Sequence, residues 1–302
     1  MPKINDWRWS FLTTDIELTN VCYQNCAFCP RSALTRPYGY FNLQLLKQII
    51  VQLAAIGSRI TFCGMGTPLL HPDFAEIMQF CRDLDGLSFG LTIQAPALDE
   101  KARLMLYQAR PGFIEISMPT IHAPVFAEIF PGADFATSVE QIMKLAAHQP
   151  ELRGISISAV KTAIDPSSDE EISNFWNERN LPCRIFKCHS RGGNLGRKDL
   201  CLATEADNRF CGLFATHSFI TWQGKLLACC HDLTGATQSA DLAEQTLAEA
   251  GRQKAQILEQ GMPYSLCRHC DEAAARRIIP DGEYPLGAGG RRKWRKKIIE
   301  ST

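Results

Sequence analysis

The chain has 302 residues, of which 45% are hydrophobic and 21% charged, and its 32 basic side chains equal its 32 acidic ones in number. This composition is typical of a globular protein and gives no bulk charge that would attract a polyanion. The sequence has no apolar run of 18 residues, which predicts no membrane partner. It also lacks the apolar core of a signal peptide, which predicts a cytoplasmic protein. In that compartment its thirteen cysteines are expected to be reduced or metal-bound.

Between residues 10 and 190, short apolar runs alternate with amphipathic runs of helix length. The predicted strands are 14–19, 59–63, 88–93, 113–117, 154–160 and 183–188. The predicted helices are 45–56, 74–81, 101–108, 138–147 and 169–178. Strands that alternate with helices indicate βα units and a parallel sheet, which predicts the α/β fold class.

The sequence changes character after residue 195, where cysteines become dense. Residues 219–229, with a Gln-Gly pair at their centre, predict a β-hairpin, and residues 241–259 predict a helix. The basic run at 291–297 could contact nucleic acid or an acidic partner, but such runs are more often solvated tails. We therefore expect no nucleic-acid partner.

Three cysteines lie close together on the loop that leaves the first predicted strand. Cys22, Cys26 and Cys29 are separated by three and by two residues. Soft thiolates favour an iron–sulfur cluster or zinc over a hard cation. Either would normally take a fourth ligand, and none follows locally. A [4Fe–4S] cluster held by these three thiolates would have one iron open to a substrate or cofactor.

This CxxxCxxC motif, with the aromatic Phe28 before its third cysteine, resembles that of the radical S-adenosylmethionine (radical SAM) enzymes. The resemblance implies a partial (β/α)6 TIM-type barrel over residues 1–195. It also implies that the open iron binds SAM, and that an electron from an external donor cleaves SAM to a 5′-deoxyadenosyl radical. A zinc knuckle is the alternative interpretation of the three cysteines.

A glycine-rich turn follows the second predicted strand, at residues 63–72. It resembles the GGEP stretch with which the family holds the methionine end of SAM, and glycine permits such close backbone approach. Thr67 stands where the family often has Glu, so a hydroxyl replaces a charge. The cofactor-binding residues that the resemblance implies are Phe28, Gly64, Met65, Gly66, Thr67 and Ser117.

Polar residues alternate with apolar ones on two of the predicted strands. Glu17, Glu115 and Ser117 have this spacing, which would direct them into the lumen of a barrel. An acidic lumen would suit a cationic substrate.

A second set of cysteines lies in the last third of the chain: Cys211, Cys229, Cys267 and Cys270. Their arrangement resembles the twitch domain, a short auxiliary-cluster domain that follows the barrel in some radical SAM enzymes. The resemblance implies a cysteine-rich α+β domain over residues 196–302 with a second [4Fe–4S] cluster. Four thiolates also suit zinc, and Cys230 could replace Cys229 as a ligand.

One of the remaining cysteines could return a hydrogen atom to a substrate radical, which would invert the carbon centre. Cys183 and Cys188 lie on the last predicted barrel strand with opposite parity, so the alternation does not choose between them. Resemblance to the twitch epimerases of aminoglycoside biosynthesis, including the hygromycin B pathway, favours Cys183 as the catalytic residue.

The leading functional prediction is therefore a radical SAM epimerase that acts on a small molecule, a sugar or aminocyclitol such as an aminoglycoside. A radical SAM dehydrogenase that oxidises a secondary alcohol to a ketone is the first alternative. A non-catalytic zinc protein is the second. Peptide maturation ranks lower, because about a dozen residues precede the first predicted strand and leave no room for a leader-binding domain.

Overall fold

The computed structural model describes residues 6–148, 152, 154–202, 211–261 and 264–272. Its strands are β1 (Thr13–Ile16), β2 (Arg59–Phe62), β3 (Ser88–Gln94), β4 (Phe113–Ser117), β5 (Ile155–Lys161), β6 (Cys183–Lys187), β7 (His217–Ile220), β8 (Lys225–Leu227) and β9 (Ala240–Asp241). The helices are α1 (Leu43–Ala55), α2 (Phe74–Asp83), α3 (Glu100–Ala109), α4 (Ala123–Ile129), α5 (Phe135–Ala146), α6 (Asp169–Asn177), α7 (Gly212–Thr216), α8 (Leu247–Gln260) and α9 (Ser265–Arg268).

Strands β1 to β6 form a parallel sheet in sequence order, with helices between consecutive strands. Parallel neighbours joined by helices are what the alternation of apolar runs predicts. The α/β fold class and the partial (β/α)6 barrel are therefore confirmed. All six predicted strands are present, with ends shifted by a few residues at most.

The two faces of this sheet differ sharply in polarity. Alternate residues such as Ile16, Phe62 and Ile116 are fully buried against the helices. The opposite face carries half-buried polar residues, and we call it the lumen face: Asp15, Thr61, Thr92, Glu115 and Ser156. The two-residue period of a strand produces this division.

The helices begin at sequence signals that fix their ends. Asn42 caps α1 through its side chain, and Ser168 with Glu171 forms a capping box at α6. The sequence prediction missed α4, which has Pro124 in its first turn, a position that proline favours. Its seven residues are too few to establish a helical period.

The chain after the barrel extends the same sheet. Strand β7 pairs in parallel with β1, and β8 and β9 follow antiparallel. The predicted hairpin is confirmed, and its turn contains Gly224 at φ +79°, a left-handed conformation that favours glycine. The sheet is continuous across the predicted domain boundary at 195/196, and that division stays a prediction.

No helix within the described ranges is both long and apolar enough to cross a bilayer. The basic run 291–297 lies outside the described residues.

Candidate functional site

The three cysteines of the first motif lie together beyond the carboxyl end of β1. Cys26 is buried, and its pKa is raised to about 12, first by burial and then by the neighbouring Cys29 and Cys22 thiols. The Cys22 Sγ lies 3.3 Å from the Thr67 hydroxyl. Three mutually close soft donors on one loop fit a [4Fe–4S] cluster with one open iron.

The glycine-rich turn packs directly against the backbone of this cysteine loop. The Thr67 N–H donates to the Val21 carbonyl at 3.0 Å. A Cβ atom on Gly66 would lie 2.2 Å from the Thr19 oxygen and 2.6 Å from that of Val21. No real Cβ tolerates such distances, so only glycine lets the turn and the loop approach this closely.

Glu17 is not the free acidic group of the lumen that the strand pattern predicted. It is fully buried and its carboxylate accepts hydrogen bonds from Arg36 and from the Met65 N–H. Arg31 donates to the Met65 carbonyl at 3.0 Å, which holds the turn from its other side. The prediction for Glu17 is corrected, because Arg36 neutralises its charge and the pair supports the glycine-rich turn.

Ser117 ends β4 on the lumen face, where it is half-buried and in register with Gln94 and Ser158. Phe28 packs in the core, with its ring in edge-to-face contact with Phe130 at 5.8 Å. Ser117 is thus placed at the carboxyl edge of the strands, where ligands bind in parallel α/β folds. The cofactor contacts of both residues stay predictions.

The second set of cysteines converges from three separate segments. Cys211 caps α7 through its sulfur, Cys229 follows β8, and Cys267 and Cys270 flank the end of α9. Burial is the largest influence raising the pKa of Cys229, Cys267 and Cys270, and the Cys211 thiol adds to it at each of them. The fold therefore brings the four predicted auxiliary ligands within electrostatic range of one another.

Cys230 adjoins Cys229 and also interacts electrostatically with Asp15 on the lumen face. Its pKa is raised to about 12 by burial first and then by Asp15, while Arg191 lowers it. Cys63, which follows β2, also has its pKa raised by burial and then by Asp15 and Cys230, and it hydrogen-bonds to Asp15. Both are protonated thiols near neutral pH, and both adjoin the acidic lumen face. This placement favours Cys229 over Cys230 as the auxiliary ligand.

Two further polar residues, Glu115 and His217, lie in this region of the lumen face. The Glu115 charge acts on Cys63, and the carboxylate of Asp15 lies 3.1 Å from His217 Nε2. The sequence prediction did not include Asp15 and His217, and it counted Cys63 and Cys230 only among the remaining cysteines, with Cys230 as a possible auxiliary ligand. Asp15 could have been found from sequence, because it shares the parity of Glu17 on the first strand.

Cys183 occupies a different part of the barrel. It opens β6, in register with the fully buried Ile157, and packs with the core between the sheet and the helices. It therefore lies on the face opposite the lumen and at the end of the strand remote from the cysteine loop. This placement disfavours Cys183 as hydrogen donor, and its catalytic role stays a prediction. Cys188 is buried after β6 and hydrogen-bonds to the Cys201 thiol.

The protein-family model of the radical SAM superfamily matches residues 16–172 of the chain. A search of curated proteins found no match.

Solved structures resemble the chain over most of its length. BtrN in complex with AdoMet and 2-DOIA superimposes with a TM-score of 0.60 at 17% identity, covering 91% of this chain and 96% of that one. SuiB from Streptococcus suis bound to precursor peptide SuiA gives 0.63 at 15%, covering 86% and 71%. The structure of anSMEcpe with bound AdoMet gives 0.63 at 12%, covering 96% and 94%. At these identities the likeness shows a shared fold.

Proposed function

The chain belongs to the radical SAM superfamily, and from that premise we propose that it is an epimerase that inverts a carbon centre of a sugar or aminocyclitol. The observation that carries the proposal is the pair of half-buried, protonated thiols, Cys63 and Cys230, beside the acidic lumen face. A thiol S–H bond is weak enough to give a hydrogen atom to a carbon radical, and an epimerase needs such a donor.

The cofactors are assigned to the residues that fit them. Cys22, Cys26 and Cys29 would hold the first [4Fe–4S] cluster, and the residues that would contact SAM are Phe28, Gly64, Met65, Gly66, Thr67 and Ser117. The cysteines that would hold the auxiliary cluster are Cys211, Cys229, Cys267 and Cys270. When bound, the first cluster and SAM supply hydrogen-atom abstraction from the substrate.

Cys230 is the hydrogen donor in this proposal, in place of Cys183. Cys63 directly precedes the turn assigned to SAM, and we assign it to the side on which hydrogen is removed. Inversion requires that a hydrogen atom be returned to the other face of the carbon, and we assign this role to Cys230, which lies in the segment after β8. Its S–H bond breaks as the new C–H bond forms and leaves a thiyl radical. One electron from an external donor and one proton then restore the thiol.

The substrate class follows from the charges around these thiols. Asp15 and Glu115 are half-buried on the lumen face and would bind the ammonium and hydroxyl groups of an amino sugar or aminocyclitol. BtrN, a structure of similar fold, was solved in complex with 2-DOIA, which is consistent with a small-molecule substrate for this fold.

The test is turnover in deuterated water, where an exchangeable thiol carries deuterium. The wild-type protein should give an inverted product with one deuterium at the reacting carbon. Cys230→Ala should still cleave SAM but lose labelled, inverted product by at least about 100-fold, the scale of removing a positioned transfer group. Cys63→Ala is the matched control and should keep the labelling. The reverse pattern, with Cys63 required and Cys230 dispensable, would overturn the donor assignment.

A dehydrogenase is the second candidate, and the contact between Asp15 and His217 favours it. Oxidation of an alcohol radical to a ketone requires loss of a proton and an electron. A carboxylate–imidazole pair on the lumen face could accept the proton, and the auxiliary cluster assigned to the second set of cysteines would accept the electron. Wild-type protein that forms only ketone, without deuterium uptake, would make this candidate correct.

A further inference from the structure

A cluster of three potential metal ligands lies where the loop after β6 meets the segments that carry the auxiliary cysteines. One ligand atom each from His189, His231 and Glu272 falls within 4.8 Å of the others. The three residues come from three separate stretches of the chain, and both histidines are at least 94% buried, since their exposed fractions are 6% and 5%. We propose that they form a mononuclear binding site for a zinc-like divalent transition metal.

The donor chemistry agrees with that ion. Two imidazoles and one carboxylate form a known zinc ligand set that leaves a fourth position open. Tetrahedral zinc with bonds of about 2.0–2.1 Å places its ligand atoms about 3.3 Å apart. His189 Nε2 and Glu272 Oε2 are already 2.8 Å apart, so small ring rotations would bring the three atoms onto one ion.

His231 provides a second, independent observation. Its Nδ1 atom is buried and has no hydrogen-bond partner among the residues that the structure describes. A buried polar atom without a partner is costly in free energy, and a bound ligand would remove that cost. The ring of His231 is in tilted contact with the ring of His189, and the ring centroids lie 4.8 Å apart.

The surroundings supply the outer contacts of a metal site. Asp271 Oδ1 lies 3.6 Å from His189 Nδ1, the ring nitrogen that does not face Glu272. Ser190 fixes this carboxylate with its N–H and its hydroxyl, the latter at 2.7 Å. His189 Nδ1 now accepts the Arg191 N–H at 3.2 Å. Metal binding at Nε2 would place the ring proton on Nδ1, which would then exchange Arg191 for Asp271 as its partner, and such carboxylate–histidine–metal arrangements orient the ligand.

This site shares no residue with either cysteine set, although the Glu272 N–H donates to Cys270 Sγ at 3.4 Å, and it does not depend on which radical reaction the chain performs. Its test starts from untagged, cluster-reconstituted protein that is loaded with zinc and freed of excess by gel filtration. Elemental analysis should find about one zinc per chain with the iron content unchanged. Zinc-edge X-ray absorption should show only N/O ligands at about 2.0–2.1 Å and no sulfur at about 2.3 Å.

Variants then assign the ligands. His231→Gln and Glu272→Gln should each reduce retained zinc by at least tenfold, whereas His148→Gln, an exposed histidine outside the cluster, should retain it. Protein without zinc, zinc bound to sulfur, or zinc retained by His231→Gln would each overturn the proposal. Zinc content is independent of deuterium uptake, so the epimerase proposal can fail while this one holds.

Discussion

Glu17 is held by Arg36 through both of its carboxylate oxygens, at 2.7 and 3.0 Å, and both residues lie in the protein interior. The same carboxylate accepts the Met65 N–H at 3.1 Å. A single buried ion pair therefore links the end of β1, the segment before α1 and the glycine-rich turn. This ion pair therefore positions the glycine-rich turn, and Arg36 neutralises the charge of Glu17.

Replacing Arg36 by Met should be strongly destabilising, because Glu17 would be left buried and unpaired. We expect a loss of roughly 3–5 kcal/mol in the free energy of unfolding, measured by urea denaturation. Lys47→Met breaks the more exposed pair with Glu76 and is the matched control, for which we expect about 0–1 kcal/mol. Equal losses in the two variants would show that the Glu17 carboxylate is not buried as described.

Gly66→Ala should impair SAM binding, because the added methyl group collides with two carbonyl oxygens of the cysteine loop. We expect the dissociation constant for SAM to rise at least about tenfold, or about 1.4 kcal/mol, by isothermal titration of reconstituted protein. Gly196→Ala adds the same methyl group where no atom lies within 4 Å, and it should bind SAM normally. Normal binding by Gly66→Ala would remove the turn from the cofactor site.

Loss of Cys267 and Cys270 together should remove the auxiliary cluster. The Cys267→Ala/Cys270→Ala protein should retain about four of about eight irons and melt at a lower temperature, since metal binding is coupled to folding. Cys81→Ala, which removes a buried thiol from the core, should keep all the iron. A double variant with full iron content would place the ligands elsewhere, and a wild-type site with zinc and no second cluster would support the zinc alternative.

Cys183→Ala should leave the reaction outcome unchanged, because Cys183 packs in the core between the sheet and the helices. We expect the same deuterium content in the product as for wild type, read by mass spectrometry, and a loss of roughly 1 kcal/mol in stability. A product that loses its label in this variant would reinstate Cys183 as the donor.

Much of the fold follows from local sequence. The two-residue period of the strands and the amphipathic helices between them predicted the parallel sheet, because burial of one face requires that alternation. The helix missed at 123–129 is too short to give such a signal. The Gln-Gly pair likewise predicted the hairpin, because Gly224 adopts a left-handed conformation.

The candidate site was likewise predictable from the sequence only in part. Spacing identified the three-cysteine loop, and resemblance to the family's GGEP stretch identified the glycine-rich turn, since each motif is contiguous in the chain. The alternation on a strand could not say which polar residue is neutralised. Glu17 and Asp15 share one parity, and only the ion pair with Arg36, a residue outside the strand, neutralises the charge of Glu17.

The sequence by itself determined the family motif, the α/β class and the four-cysteine set. Only the tertiary structure decided which way Cys183 faces, that Cys63 and Cys230 adjoin the lumen, and that His189, His231 and Glu272 meet. The physical reason is that these relationships depend on strand register and on loop packing between segments far apart in the chain. A sequence pattern records only neighbours along one segment, because periodicity is a local property.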